Sequence, residues 1–89
     1  MTSAIDLLAL QKKCLEICNK HNWGRNWQEG GCYLHLESSE FIEALRGKGN
    51  NTPEEEDGDI LFVLLAMFEE HGLDINKSFE YLRARLQIL

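Results

Sequence analysis

The sequence predicts an all-α fold of four helices, and three observations predict it. Apolar residues recur at three- and four-residue steps in four separate stretches. Glycine-containing breaks separate those stretches, and the 89 residues include one proline, placed where a helix should begin. A high content of Leu, Glu and Ala favours helices over strands.

The first helix is expected from Ser3 to His21, with Leu7, Leu10, Cys14 and Ile17 on one face. Asn22 to Gly31, with three glycines and two tryptophans, should break it. A second helix is expected from Cys32 to Arg46, stopping at Gly47-Lys48-Gly49. The third has the clearest start. Thr52 is a suitable N-cap, Pro53 suits the first helical position, and Glu55 completes a capping box. It should run through Phe68 and end near Gly72. A fourth, from Asp74, places Ile75, Phe79, Leu82, Leu86 and Leu89 on a seam for packing against another helix.

Length and composition bound the rest. Eighty-nine residues fit one domain over 1–89, near the lower limit for a self-sufficient core. Hydrophobic residues make up 44% and charged residues 27%, the balance of a globular protein. The longest apolar run, Ile60 to Phe68, is too short to span a bilayer, and no N-terminal segment has the build of a secretion signal. A cytoplasmic location is therefore expected, with no membrane partner. The net charge of −6 argues against nucleic acid as a partner, since phosphate backbones attract basic surfaces. It leaves room for a small phosphorylated ligand, because a cation held by carboxylates reverses the local field. Cys14, Cys18 and Cys32 include no CxxC pair and fit reduced thiols better than a zinc site. Ile60 to Phe68 is apolar all round. Such a helix must be surrounded, and three partner helices hardly suffice, so a homo-oligomer is expected.

Side chains advance by about 100° per residue around a helix. On the second helix this puts Glu37 within the apolar arc of Tyr33, Phe41 and Ala44, with Glu40 beside it. On the third, Glu56 and Asp59 share a stripe with Ile60, Val63 and Met67. Two adjacent helices thus each direct two acids, spaced i and i+3, inwards. Unpaired buried carboxylates are costly and repel one another. Mg²⁺ characteristically combines a few carboxylates with water and substrate phosphates, so these four acids form a plausible cradle for such ions. A ferritin-like di-iron site would want a histidine three residues after a glutamate, and none stands there. Glu43, at the edge of the arc, fits a solvent-facing role. Trp23 and Trp27 flank Gly24-Arg25-Asn26 just before the second helix. Aromatic rings hold bases by stacking, and Arg25 offers donors to a phosphate or base, although a tryptophan also anchors many loops to a core.

The stretch Leu36-Glu37-Ser38-Ser39-Glu40-Phe41-Ile42-Glu43-Ala44-Leu45, followed by Glu55-Glu56-Asp57-Gly58-Asp59-Ile60-Leu61, resembles the all-α nucleotide pyrophosphohydrolases of the MazG and dCTPase type. Their pattern is a Glu-x-x-Glu helix, a loop, and a Glu-x-x-Asp helix that continues as an apolar segment. Fifteen residues separate Glu40 from Glu56 here. The resemblance runs from about Trp23 to Arg83. It implies Mg²⁺ at Glu37, Glu40, Glu56 and Asp59 as the catalytic centre, and Lys48 and Arg83 near the substrate phosphates. It also implies a homodimer or homotetramer. The implied reaction converts a nucleoside triphosphate to the monophosphate and pyrophosphate. Leu36 stands where MazG proteins commonly have a further glutamate, and Gly47 replaces an aromatic residue of some dCTP-specific relatives, so base selectivity stays open. Two alternatives remain: a phosphoribosyl-ATP pyrophosphohydrolase with the same carboxylate plan, and a non-catalytic dimerisation module of this fold.

Overall fold

The computed structural model describes residues 4–88, which hold four α-helices and no strand. These are α1 (Leu7–Lys20), α2 (Glu29–Leu45), α3 (Pro53–Glu70) and α4 (Ile75–Ile88). None of them is long and apolar enough to cross a membrane. Ser3 and Leu89, expected at the ends of the first helix and the last seam, lie outside the described residues.

α1 begins at Leu7 rather than at Ser3 because Asp6 caps it. The Asp6 carboxylate accepts the Ala9 N–H at 3.0 Å. The helix ends at His21, and Asn22 follows at φ 58°, a left-handed conformation that asparagine tolerates. His21 stacks on Trp23 with ring centroids 4.5 Å apart.

α2 begins three residues earlier than expected, at Glu29 rather than Cys32. Asn26 starts it: its side-chain oxygen accepts the Glu29 N–H at 2.8 Å, and its carbonyl accepts that of Gly30 at 2.7 Å. Gly30 and Gly31 read as breakers in the sequence, yet both lie in the first turn. The reason at Gly30 is packing, since a Cβ there would stand 2.7 Å from the Met67 Cγ of α3. Glycine lets the two helices approach closely at this point.

α3 starts as its sequence dictates. Thr52 Oγ1 accepts the Glu55 N–H at 3.1 Å, and Glu55 Oε1 accepts the Thr52 N–H at 2.9 Å. The helix runs two residues past Phe68 and terminates at His71, with Gly72 at φ 68°.

Cys14 and Cys18 of α1, Leu65 and Ala66 of α3, and Ile75 of α4 make a buried cluster, with Phe62 and Phe68 packed against it. α1 and α2 both pack on α3, and α4 docks on α1. One chain does not enclose α3: Val63, Leu65 and Ala66 are buried, but Leu61 is 47% exposed. Phe79, Leu82 and Leu86 of the expected seam on α4 are also exposed.

Candidate functional site

The helical period and the packing of α2 on α3 bring the predicted acids together. One carboxylate oxygen each from Glu37, Glu56 and Asp59 lies within 4.8 Å of the others. Glu40, one turn beyond Glu37, lies close enough for its charge to act on the Glu37 carboxyl. The four acids are not equally interior. Glu56 is 7% exposed and Glu37 half-buried, whereas Glu40 and Asp59 lie at the surface, on the rim. The sequence placed all four on inward stripes, but one face of an α2–α3 pair must meet solvent.

Glu56 is held by Asn51, whose Nδ2 donates to its Oε1 at 2.9 Å. The Oε2 atoms of Glu56 and Glu37 are buried and have no hydrogen-bond partner. The ion pairs among the described residues are Lys13–Glu16 and Arg46–Glu43, and neither engages the cluster. Glu43 is thus neutralised by its own helix end, as a surface residue. Burial pushes the Glu37 carboxyl up to about 7; the neighbouring Glu40, then Asp59 and Glu56, add to the rise.

That shift has a testable consequence for the metal-free chain. Folded Glu37 keeps its proton to a higher pH than unfolded Glu37, so its contribution to stability is complete below about 4.5 and is lost as pH rises through about 7. In EDTA, the melting temperature of the parent minus that of Glu37→Gln should therefore fall across this window and level off above it. A difference that stays flat or rises there would contradict the clustering.

Two clefts flank the acids. One, of about 400 Å³, is lined by Trp23, Arg25, Tyr33 and Phe62 together with Glu37 and Asp59. The other, of about 390 Å³, is lined by Lys48, Asn50 and Asn51 together with Glu40, Glu43 and Glu56. Lys48, Trp23 and Arg25 therefore line clefts shared with the acids. Trp27 does not line either cleft and is 69% exposed. Arg83 lies on the outer surface of α4 with Glu80, Ala84 and Gln87, and within one chain it lines neither cleft. Its helix docks on α1, while the acids sit on α2 and α3.

Sequence reasoning missed Asn51, Tyr33 and Phe62. Tyr33 carried a signal, since it is one turn before Glu37 on the same arc. Asn51 precedes the α3 cap, and its reach back to Glu56 depends on the loop conformation. The three cysteines are free thiols. Cys14 and Cys18 are buried and Cys32 is exposed, and burial raises the first two thiols above their ordinary range. Among the described residues the grouping with the makings of a metal site is carboxylate only. The chain matches no protein-family model, no curated protein and no solved structure.

Proposed function

We propose that this chain is a Mg²⁺-dependent, MazG-like nucleotide pyrophosphohydrolase that cleaves nucleoside triphosphates to the monophosphate and pyrophosphate. The observation that carries the reading is the convergence of Glu37, Glu56 and Asp59, with two buried carboxylate oxygens left without partners. A buried acceptor without a partner costs about 1–3 kcal/mol, and more when charged. Nothing within the described residues offsets that cost, and an oxygen-seeking divalent cation would. The donor set, all carboxylate oxygen, is the chemistry Mg²⁺ prefers.

In this reading Glu37, Glu56 and Asp59 hold the ion, and Glu40 orients Glu37 or adds an oxygen from the rim. Bound Mg²⁺ supplies charge neutralisation at the phosphates and lowers the pKa of a water. Asn51 fixes the Glu56 carboxylate by holding Oε1. Lys48 Nζ, across the second cleft, offers a cation to the phosphates. Glu37 must lose its proton to bind the ion, so metal affinity should weaken below about pH 7.

The apolar surface supports association of copies as the second half of the reading. Leu10, Leu61, Leu64, Phe79 and Leu82 line an open apolar groove of about 340 Å³ between α1, α3 and α4. Large exposed apolar patches mark interaction sites in soluble proteins.

The test is hydrolysis in ¹⁸O-water with Mg²⁺ across a panel of ribo- and deoxynucleoside triphosphates. Water attack at the α-phosphorus puts the label in the monophosphate and releases unlabelled pyrophosphate. Release of orthophosphate, or full activity in EDTA, would rule the assignment out.

A further inference from the structure

Arg25 is a cation that the fold has buried without a counter-ion. It is 6% exposed, and none of the ion pairs among the described residues includes it. Its Nη1 donates to the Gly24 carbonyl at 2.9 Å, while its Nε–H is buried with no partner. Its guanidinium lies 4.7 Å from the centroid of the Tyr33 ring and 5.9 Å from that of Phe62. The ring faces offset part of the cost of burying the charge. They leave hydrogen-bonding capacity unused, because a guanidinium carries five N–H donors and no acceptor.

Which part of a nucleotide this residue would meet follows from the two clefts. Lys48 lines the cleft on the Glu40 and Glu56 side, and a lysine there suits phosphate. Arg25 lines the other cleft, on the Glu37 and Asp59 side, whose remaining walls are largely aromatic. A nucleotide laid across the acids with its phosphates towards Lys48 puts its base beside Trp23, Arg25, Tyr33 and Phe62. Flat rings stack on aromatic walls whatever the base. Discrimination must then come from the polar groups there, and Arg25 alone among them offers a fork of paired donors, since Trp23 has a single indole N–H and Tyr33 a single hydroxyl.

We propose that this cleft holds the nucleobase and that Arg25 is a specificity-determining residue favouring guanine and cytosine over adenine, thymine and uracil. The proposal rests on the nucleotide reading above and adds base choice to it. A guanidinium fork fits two acceptors side by side. Guanine presents O6 beside N7, and cytosine presents O2 beside N3. Adenine places its amino donor next to N7 and N1. Thymine and uracil place the N3–H donor between their two carbonyls.

The experiment measures binding of the four deoxynucleoside monophosphates to the full chain with Mg²⁺, by calorimetry or ligand-observed NMR. Deoxyguanosine and deoxycytidine monophosphates should bind at least about fivefold more tightly than the other two, the lower end of what a bidentate base contact provides. The 7-deaza analogue of deoxyguanosine monophosphate, which lacks only the N7 acceptor, should lose most of that advantage. Arg25→Gln and Arg25→Lys should flatten the order of affinities. The comparison among ligands on the parent protein stands even if either variant fails to fold. Equal affinities for the four, or a 7-deaza analogue as tight as its parent, overturn the proposal. So does an Arg25→Lys protein that keeps the base order but weakens every ligand equally, since that places Arg25 on phosphate. Binding without base preference removes the Arg25 assignment alone, whereas no binding of any nucleotide removes the nucleotide reading as well.

Discussion

Asp59→Asn and Glu37→Gln are expected to lower kcat/KM by on the order of a hundredfold or more, because even residues that merely support metal ligands cost about 10–100-fold when lost. Each change removes one negative charge and nearly keeps the side-chain shape. In EDTA above neutral pH, the variants should melt no lower than the parent, since the parent then holds three converging carboxylates that repel. Sites that cost the fold something commonly behave this way. Added Mg²⁺ reverses the order. At a free concentration about 100-fold above Kd the parent gains about 2.7 kcal/mol, which for a domain of this size raises Tm by roughly 10–20 °C. Either variant should gain much less. If the acids are instead ordinary surface groups and dipole partners of helix ends, the variants will be slightly destabilised, indifferent to Mg²⁺ and fully active. Melts of three proteins with and without Mg²⁺, alongside one activity assay, separate these outcomes.

The parts of this molecule that were legible in its sequence depend on short-range chemistry. Thr52, Pro53 and Glu55 act within one helical turn, and the α3 start follows from them with no knowledge of the rest of the chain. The i and i+3 spacing of Glu37 with Glu40, and of Glu56 with Asp59, needs only the helical period. What failed required knowing which helix touches which. Gly30 reads as a helix breaker, and only the nearness of Met67 explains a glycine inside the first turn of α2. The depth of each acid follows from the rotation of α2 against α3, which buries Glu56 and leaves Asp59 on the rim. Arg83 was placed by resemblance alone, and α4 carries it away from the acids of its own chain. Arg25 offered the reverse lesson. A charged residue between two tryptophans and two glycines gives no sign of burial, and its depth depends on Tyr33 and Phe62 arriving from two other helices.

Replacing Gln11 with Leu is expected to produce the largest loss of stability of any single polar substitution in α1, about 1–3 kcal/mol for the buried Ile75 N–H left without its partner, with a smaller addition from the part-buried Leu73 carbonyl. Gln11 is fully buried, and its amide is wired to both sides of the turn between α3 and α4. Nε2 donates to Glu69 Oε1 at 2.9 Å and to the Leu73 carbonyl at 2.6 Å. Oε1 accepts the Ile75 N–H at 2.9 Å, one of the N-terminal donors of α4 that no helical carbonyl can reach. Leucine matches the shape and satisfies none of these. Glu69 can turn towards water, and the Leu73 carbonyl is only partly buried, but the buried Ile75 N–H cannot reach water. Tm should therefore drop by roughly 4 °C or more, at about 4–8 °C per kcal/mol for a domain of this size. The loss should also be local, because the side-chain hydrogen bonds of Gln11 join α1 to the end of α3 and the start of α4, and none goes to α2. Hydrogen exchange should show amides in the first two turns of α4 losing protection well before those flanking Glu37, with the metal-free pH profile of Glu37 unchanged. Glutamate at position 11 should be worse than leucine near neutral pH, because it sets a carboxylate against Glu69 and the Leu73 carbonyl while keeping only the contact to Ile75. A Gln11→Leu protein that melts within a degree or two of the parent, or that loses protection evenly over all four helices, would show that α4 is held by Ile75 and its apolar neighbours rather than by this amide.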